Sequence, residues 1–300
     1  MAGVAVVHLV RRQNGTLPFK RFLDSIREYP AGIPYDLVVL FKGFRKSSPE
    51  YEALLEGIAH RRLFVSDRGF DINAYFEAVR RLDDARFCFL NSYSRILSAG
   101  WLEKLVRWSV LGDVGLVGAT GSCQSIAGGY TREDRELRAL PPVTQFWTRV
   151  GRALRDRRPN ARMERASRVI LRMTGQWRPG RDFPSFPNPH IRTNAFVASR
   201  EVLCRVRPGP VRLKVSAYKF ESGKDSLTNQ VRRLGMRVLV VGRDGEGYAP
   251  ERWHLSNTFW QSREENLLVA DNQTELYLAA DAAKRAELAQ YAWGDNARPG

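Results

Sequence analysis

SGKDSLTNQVRRLGMRVLVVGRD, residues 222–244, is the stretch from which the fold is read. It opens on a small-residue turn, Ser222-Gly223, followed after Lys224 by a lone carboxylate, Asp225. Leu227, Val231 and Leu234 then recur at helical spacing, which predicts an amphipathic helix over 226–234. Gly235 stands where a helix-ending glycine belongs, and 236–241 reads as a buried strand closed by Gly242. A carboxylate on a turn just ahead of a helix is held in a defined place. That suits a general base, and it equally suits a helix cap.

Working outward, the same alternation of apolar strand and amphipathic helix fills the first 120 residues. Strands are expected at 4–10, 36–44, 63–65, 85–90 and 114–119. Helices are expected at 17–28, with Phe19, Phe22, Leu23 and Ile26 on one face, from Ser48-Pro49 onward, at 72–82 and at 101–111. This repetition implies right-handed crossovers and a mostly parallel sheet flanked by helices, an α/β fold. In such sheets ligands bind beyond the carboxyl ends of the strands. The loops to watch are therefore those at Arg11, Asp67, Asn91 and Thr120. Further on, a strand at 195–198, a short helix at 200–206 and a helix at 281–292 are expected, with 245–253 read as loop and 263–277 only mildly periodic.

The 300 residues carry 48 Lys and Arg against 32 Asp and Glu, a net charge of +16. Such a field attracts anions: nucleic acid, acidic lipid headgroups or phosphorylated substrates. The segment 130–182 breaks the alternation and holds 14 Arg, no Lys and 6 acidic residues. The expectation is one domain over 1–300 with a basic helical insertion at 130–185. That insertion either covers the sheet or offers a platform to an anionic membrane surface or a lipid-linked acceptor. No nucleic-acid recognition motif is present. Cys88, Cys123 and Cys204 are scattered without metal-type spacing, so no zinc site is expected and a reducing, cytoplasmic setting fits. No apolar run reaches the length of a membrane span, so any membrane contact is expected to be peripheral.

The order of these elements resembles that of glycosyltransferases of the GT-A fold, especially the family 2 group. Gly223, Asp225 and Gly235 fit that group's G-E-D-x-x-L, helix, glycine, strand pattern, with Leu227 near the apolar position and Lys224 in place of Glu. The resemblance covers roughly 4–125 and 186–245. It implies a hexosyltransferase-like enzyme that moves a sugar from a nucleotide-sugar donor to a glycan or lipid-linked glycan of the cell envelope. By position it implies Asp225 as the base, with Glu221 as the other carboxylate. Arg11 and Asp67 fall at strand ends where the nucleotide is met, and His254 and Arg263 in the closing segment beyond. His190, Arg192 and Asn194, in HIRTN, are the acceptor-side candidates.

The departure from the family lies in FCFLNSYS, residues 87–94. Where the family has D-x-D, which binds a divalent cation, this chain has Asn91 and Tyr93. Hard cations prefer carboxylate oxygens. Three readings follow: metal independence with Arg or Lys neutralising the diphosphate, metal ligands drawn from elsewhere such as Asp67 and His254, or a non-catalytic nucleotide- or carbohydrate-binding module on the same fold. The expectation taken forward is no metal ligand and no cofactor, with Asn91 and Tyr93 counted among the donor-binding residues.

Overall fold

The computed structural model describes residues 3–128, 179–211 and 214–300. The expected basic insertion at 130–185 therefore lies outside the described residues, except for its last stretch, which begins with a short helix at Pro179–Asp182.

Eight strands form the main sheet: β1 (Val4–Arg11), β2 (Asp36–Lys42), β3 (Arg61–Val65), β4 (Arg86–Leu90), β5 (Val114–Gly118), β6 (Ala195–Ser199), β7 (Arg237–Val241) and β8 (Gly247–Tyr248). Their spatial order is β8-β7-β5-β6-β4-β1-β2-β3. The contacts β1–β2, β1–β4, β2–β3 and β5–β7 are parallel. β6 runs antiparallel between β4 and β5, and β8 is an antiparallel edge. The mostly parallel α/β sheet implied by the GT-A resemblance is present. The reversal of β6 was not expected: its apolar run AFVAS is buried on both faces, and such a run carries no sign of direction.

Helices cover both faces: α1 (Leu17–Glu28), α2 (Pro49–Leu55), α3 (Asp71–Arg81), α4 (Trp101–Ser109), α5 (Arg200–Arg205), α6 (Lys214–Ser222), α7 (Leu227–Arg233), α8 (Asn272–Ala279) and α9 (Ala282–Trp293). Strand alternation sorts the core into two layers. Val4, Val6 and Val10 pack with Val39, Phe41, and Phe19 and Phe22 of α1. Ala5, Val7 and Leu9 pack with Val38, Leu40, and Ile72 and Tyr75 of α3. His8 lies in the first layer, stacked on Phe22 at 3.8 Å between ring centroids. Burial pushes its pKa down to about 3, so it is a neutral core ring.

The opening stretch folds as its pattern implies, with one addition. Gly235 ends α7 at φ 77°, a left-handed conformation that favours glycine. Gly223 is required for a different reason: a Cβ there would sit 2.5 Å from the Lys219 carbonyl oxygen, so the chain turns against the end of α6 only without a side chain. Helix α6 itself was not foreseen. Its sequence, KVSAYKFES, buries only Val215, Phe220 and Ser222, too few apolar positions to trace a stripe.

Candidate active site

The first part of the site is built where β1, β2 and β3 end. Lys42, the last residue of β2, pairs in register with Arg11 of β1 and Val65 of β3. Its side chain is fully buried. Its ammonium donates to the carbonyls of Gly69 at 2.7 Å, Ser66 at 3.3 Å and Arg68 at 3.4 Å, and lies 3.5 Å from Asp67 Oδ1. Burial lowers its pKa and the Asp67 carboxylate opposes that fall. Lys42 thus fixes the loop 66–69, and with it the entry into α3. The sequence gave one faint sign of this, a lysine ending the apolar run DLVVLFK.

Asp71, the first residue of α3, faces Arg11, with 3.9 Å between Oδ1 and the guanidinium. Burial raises the Asp71 pKa; Arg11 and Lys42 lower it, and the charge of Glu221 raises it again. Asp71 Oδ1, Arg11 Nε and the Tyr75 hydroxyl are all buried and none makes a hydrogen bond. Unmet polar groups of this kind are rare in folded proteins, and a group of them marks a place where polar contacts remain to be made.

The second part is the loop that enters β6. The Asn91 N–H donates to the Asn194 carbonyl at 2.9 Å, tying the ends of β4 and β6. Asn91 Oδ1 accepts from the Tyr93 N–H at 2.9 Å and the Ser94 hydroxyl at 3.1 Å, an Asx turn. The Tyr93 side chain is exposed. Asn194 accepts the Thr120 hydroxyl at 2.7 Å, while its own amide nitrogen is buried without a partner. Arg192 reaches Asp271 Oδ2 at 2.9 Å and Thr120 Oγ1 at 3.4 Å, and its guanidinium lies 4.0 Å over the Phe259 ring. Thr193 donates its hydroxyl to Glu221 Oε1 at 3.1 Å and its N–H at 3.4 Å. His190 is buried, donates Nδ1–H to the Asn188 carbonyl at 2.8 Å, and is kept neutral by burial, which lowers its pKa.

Glu221 is therefore the carboxylate that the fold joins to the strand ends. It sits in the last turn of α6, whose end is tied by Asn188 donating to the Ser222 carbonyl at 2.7 Å. Asp225 is placed differently. Its side chain is 87% exposed and pairs with Arg233 at 2.8 Å. It does not cap α7: the cap is Ser226, which accepts from the Asn229 N–H. His254 and Arg263 are not joined to the strand-end group by any contact among the described residues. His254 lies in a 3-10 turn at Pro250–Leu255 and lines a separate hollow with Cys123, Pro187 and Trp293. Arg263 is exposed, with its N–H bonded to Glu265.

Beside Arg192 runs a segment with left-handed backbone at four non-glycine residues, Asn257, Trp260, Ser262 and Glu264. Such conformations persist only where the surroundings impose them. Glu264 Oε1 accepts the Trp260 N–H at 2.8 Å, and Oε2 is buried without a partner. Burial raises its pKa to about 8 from 4.5. Between these values the folded state binds more protons than the unfolded chain, so stability falls as pH rises through that window. Thermal unfolding of Glu264→Gln is expected to show a flatter pH dependence, with a midpoint above wild type at pH 8.5 and near it at pH 4.5. Parallel pH dependences would place the Glu264 charge elsewhere than in the folded state.

No protein-family model matches the chain, and no curated protein matches it. Similar solved structures exist. A mannosyltransferase from Pyrobaculum calidifontis in complex with GDP-Man and Mn²⁺ is 15% identical, with 86% of this chain and 60% of that one covered at a TM-score of 0.46. Glucosyl-3-phosphoglycerate synthase from Mycobacterium tuberculosis, in complex with Mn²⁺, UDP and phosphoglyceric acid, is 15% identical over 68% of this chain and 58% of that one, at 0.36. TarS of S. aureus is 10% identical over 39% and 21%, at 0.31. This chain spans about 60% of the length of the first two. The likeness is one of fold, the GT-A fold.

The expectation of no metal cofactor is corrected on this finding, because the first two proteins were both crystallised with Mn²⁺. The described residues do not supply a fitting donor set. Among them no group of three or more His, Cys, Asp or Glu is placed to hold a metal ion, and Asn91 commits its side-chain oxygen to its own turn. No chemical step is assigned to a metal below.

Proposed function

We propose that the protein is a glycosyltransferase that moves a sugar from a nucleotide-sugar donor to a hydroxyl acceptor, a glycan or lipid-linked glycan. The observation that carries this reading is the convergence of Glu221, Arg11, Asp71 and the Asn194 loop at the carboxyl ends of the central strands. That is where open α/β sheets bind ligands. The nucleotide would lie over Arg11 and Asp71, whose unmet polar atoms face one another there. Arg11 supplies a cation for the diphosphate.

In an inverting transfer the acceptor oxygen attacks the anomeric carbon, its proton passes to a base, and the nucleotide leaves with the electrons of the glycosidic bond. Glu221 is proposed as that base, because Thr193 aims its carboxylate at the strand ends. Asp225, the first choice by sequence position, is held by Arg233 on the outside of the turn. A second reading, a binding module without transfer, is favoured by one observation: Asn91 is spent on a turn where the fold's relatives by resemblance carry a carboxylate. Among the described residues no helix is long and apolar enough to cross a membrane.

Thermal unfolding with UDP-, GDP-, dTDP- and CMP-sugars, each with and without Mn²⁺, tests the reading. One nucleotide class is expected to raise the midpoint, since a ligand of the folded state alone stabilises it. Arg11→Gln is expected to lose that shift. The absence of any shift from all four classes in both conditions would set the reading aside.

A further inference from the structure

Helix α6 has a second role open to it, on the side away from Thr193. Phe220, the neighbour of Glu221, forms one wall of a cleft of about 720 Å³. The cleft's other walls come from the loop after α5, the turn between α6 and α7, and α7 itself. Five cations line it, Arg181, Arg207, Lys219, Lys224 and Arg233, against two carboxylates, Asp182 and Asp225. Both carboxylates are already neutralised inside the cleft, Asp182 by Lys219 at 2.8 Å and Asp225 by Arg233 at 2.8 Å. Arg181, Arg207 and Lys224 make no ion pair among the described residues. Three positive charges are thus left facing one space, and like charges so gathered repel unless an anion joins them.

The walls are held by the chain rather than by the charges. Gln230 accepts the Arg207 N–H at 2.8 Å and donates to the Arg207 carbonyl at 3.0 Å and the Asp225 carbonyl at 2.8 Å, bridging two rims. Arg233 donates to the Lys224 carbonyl at 3.0 Å, and the Lys224 N–H donates to the Asp182 carbonyl at 3.0 Å. Such preorganisation reduces the ordering cost of binding. The cleft also adjoins the proposed donor side. Its Pro208-Gly209 turn is shared with a second hollow lined by Ser66 and Arg68, the loop fixed by Lys42.

We propose that this cleft binds the phosphate or diphosphate group of the acceptor, so that the substrate accepting the sugar is a phosphorylated compound whose hydroxyl reaches Glu221 across the end of α6. This rests on the glycosyltransferase reading for the word acceptor, but not for the anion site. It gives Asp225 a part other than that of a base: it orients Arg233 at the cleft wall. A lipid diphosphate and a soluble sugar phosphate present the same group, and the cleft's chemistry is common to both.

The test is calorimetric titration of the full chain with sodium pyrophosphate at low salt. Arg207→Gln combined with Lys224→Gln is expected to weaken binding by about tenfold or more, as two charge-assisted contacts are lost. Arg21→Gln with Arg27→Gln, on α1, makes the same change in net charge and is expected to leave binding nearly unchanged. Arg11→Gln is the control for the donor side. If pyrophosphate binding is lost in Arg11→Gln and kept in the cleft variant, the anion belongs to the donor site and the proposal fails. It also fails if the cleft and α1 variants weaken binding equally, because that reports net charge alone. An unchanged unfolding midpoint in the cleft variant confirms that the fold is intact; Arg207→Lys, which keeps the charge, is expected to restore part of the affinity, and no recovery together with a lowered midpoint would overturn the assignment.

Displacement of pyrophosphate by both a hexose phosphate and a short-chain prenyl diphosphate supports the shared group. Displacement by the prenyl compound alone supports a lipid source, and by the hexose phosphate alone a soluble one. Displacement by neither overturns the proposal. Since these are binding measurements, they stand or fall apart from the nucleotide-sugar screen.

Discussion

Replacing Glu221 by Gln is expected to lower the transfer rate by about 10²–10⁴-fold, the usual worth of a positioned general base. The amide keeps the size of the side chain and an oxygen to accept from Thr193, whose hydroxyl lies 3.1 Å from Oε1. The midpoint of thermal unfolding and donor affinity should therefore stay close to wild type. Asp225→Asn is the matched comparison. That carboxylate lies on the outside of the turn against Arg233, so the change should alter the rate much less than Glu221→Gln does, and mainly through acceptor affinity. Steady-state kinetics with a transferring donor and acceptor separate the two. A large loss of kcat in Asp225→Asn with Glu221→Gln near wild type would exchange their roles.

The largest expected effect on stability is at Asp271. It is almost fully buried and answers the Arg192 guanidinium at 2.9 Å. It also caps α8, accepting the N–H groups of Gln273 and Thr274 at 3.0 Å, while the Thr274 hydroxyl takes its own N–H at 2.8 Å. Removing one partner of a buried pair leaves the other charge uncompensated, a loss of about 3–5 kcal/mol. Loss of the cap adds about 1 kcal/mol. Asp271→Ala suffers both and should unfold about 10 °C or more below wild type, at roughly 2–4 °C per kcal/mol for a chain of this size. Asp271→Asn keeps an oxygen for the cap and loses only the charge, so it should fall between the two. The effect should reach the site as well, since Arg192 carries the loop that sets Thr193 and Asn194. If Asp271→Ala unfolds with wild type, the pair does not hold this loop.

The contrast between those two carboxylates shows what a sequence can display. Helix α1 was legible to its ends, Leu17 and Glu28, because Phe19, Phe22 and Leu23 trace one buried face and Pro18 marks its start. β1, β2 and β4 were legible because both their faces are buried and their apolar runs are unbroken. α6 and α8 were not. α8 buries only Thr274 and Tyr277, and α6 is similarly poor in apolar positions, so neither shows a stripe. Glu221 was consequently read as the approach to a turn, when it ends a helix that delivers it to the strand ends. Asp225 had the better position in the motif and the worse one in space.

The strand-end loops at Arg11, Asp67, Asn91 and Thr120 were foreseen from the alternation alone, because a parallel sheet places all such ends on one side. The contacts inside that side were beyond the pattern. Lys42 sits in a strand, and nothing in DLVVLFK says that its ammonium gathers three carbonyls from a loop 24–27 residues away. Arg192 and Asp271 are separated by 79 residues, and their pairing follows from the reversal of β6. Asn91 was read as a donor-site residue, and the fold places it at the right strand end with its side chain engaged in shaping the turn.

The most direct measurement is release of the nucleotide from UDP-, GDP-, dTDP- and CMP-sugars, followed by phosphorus NMR in the presence of Mn²⁺, for wild type and Glu221→Gln side by side. The account predicts that wild type cleaves one class of donor, slowly to water and faster with a phosphorylated hydroxyl acceptor, and that Glu221→Gln binds the same donor but cleaves it at least about a hundredfold more slowly with acceptor present. Cleavage by the two proteins at the same rate, or binding and cleavage of no donor by wild type, would contradict it.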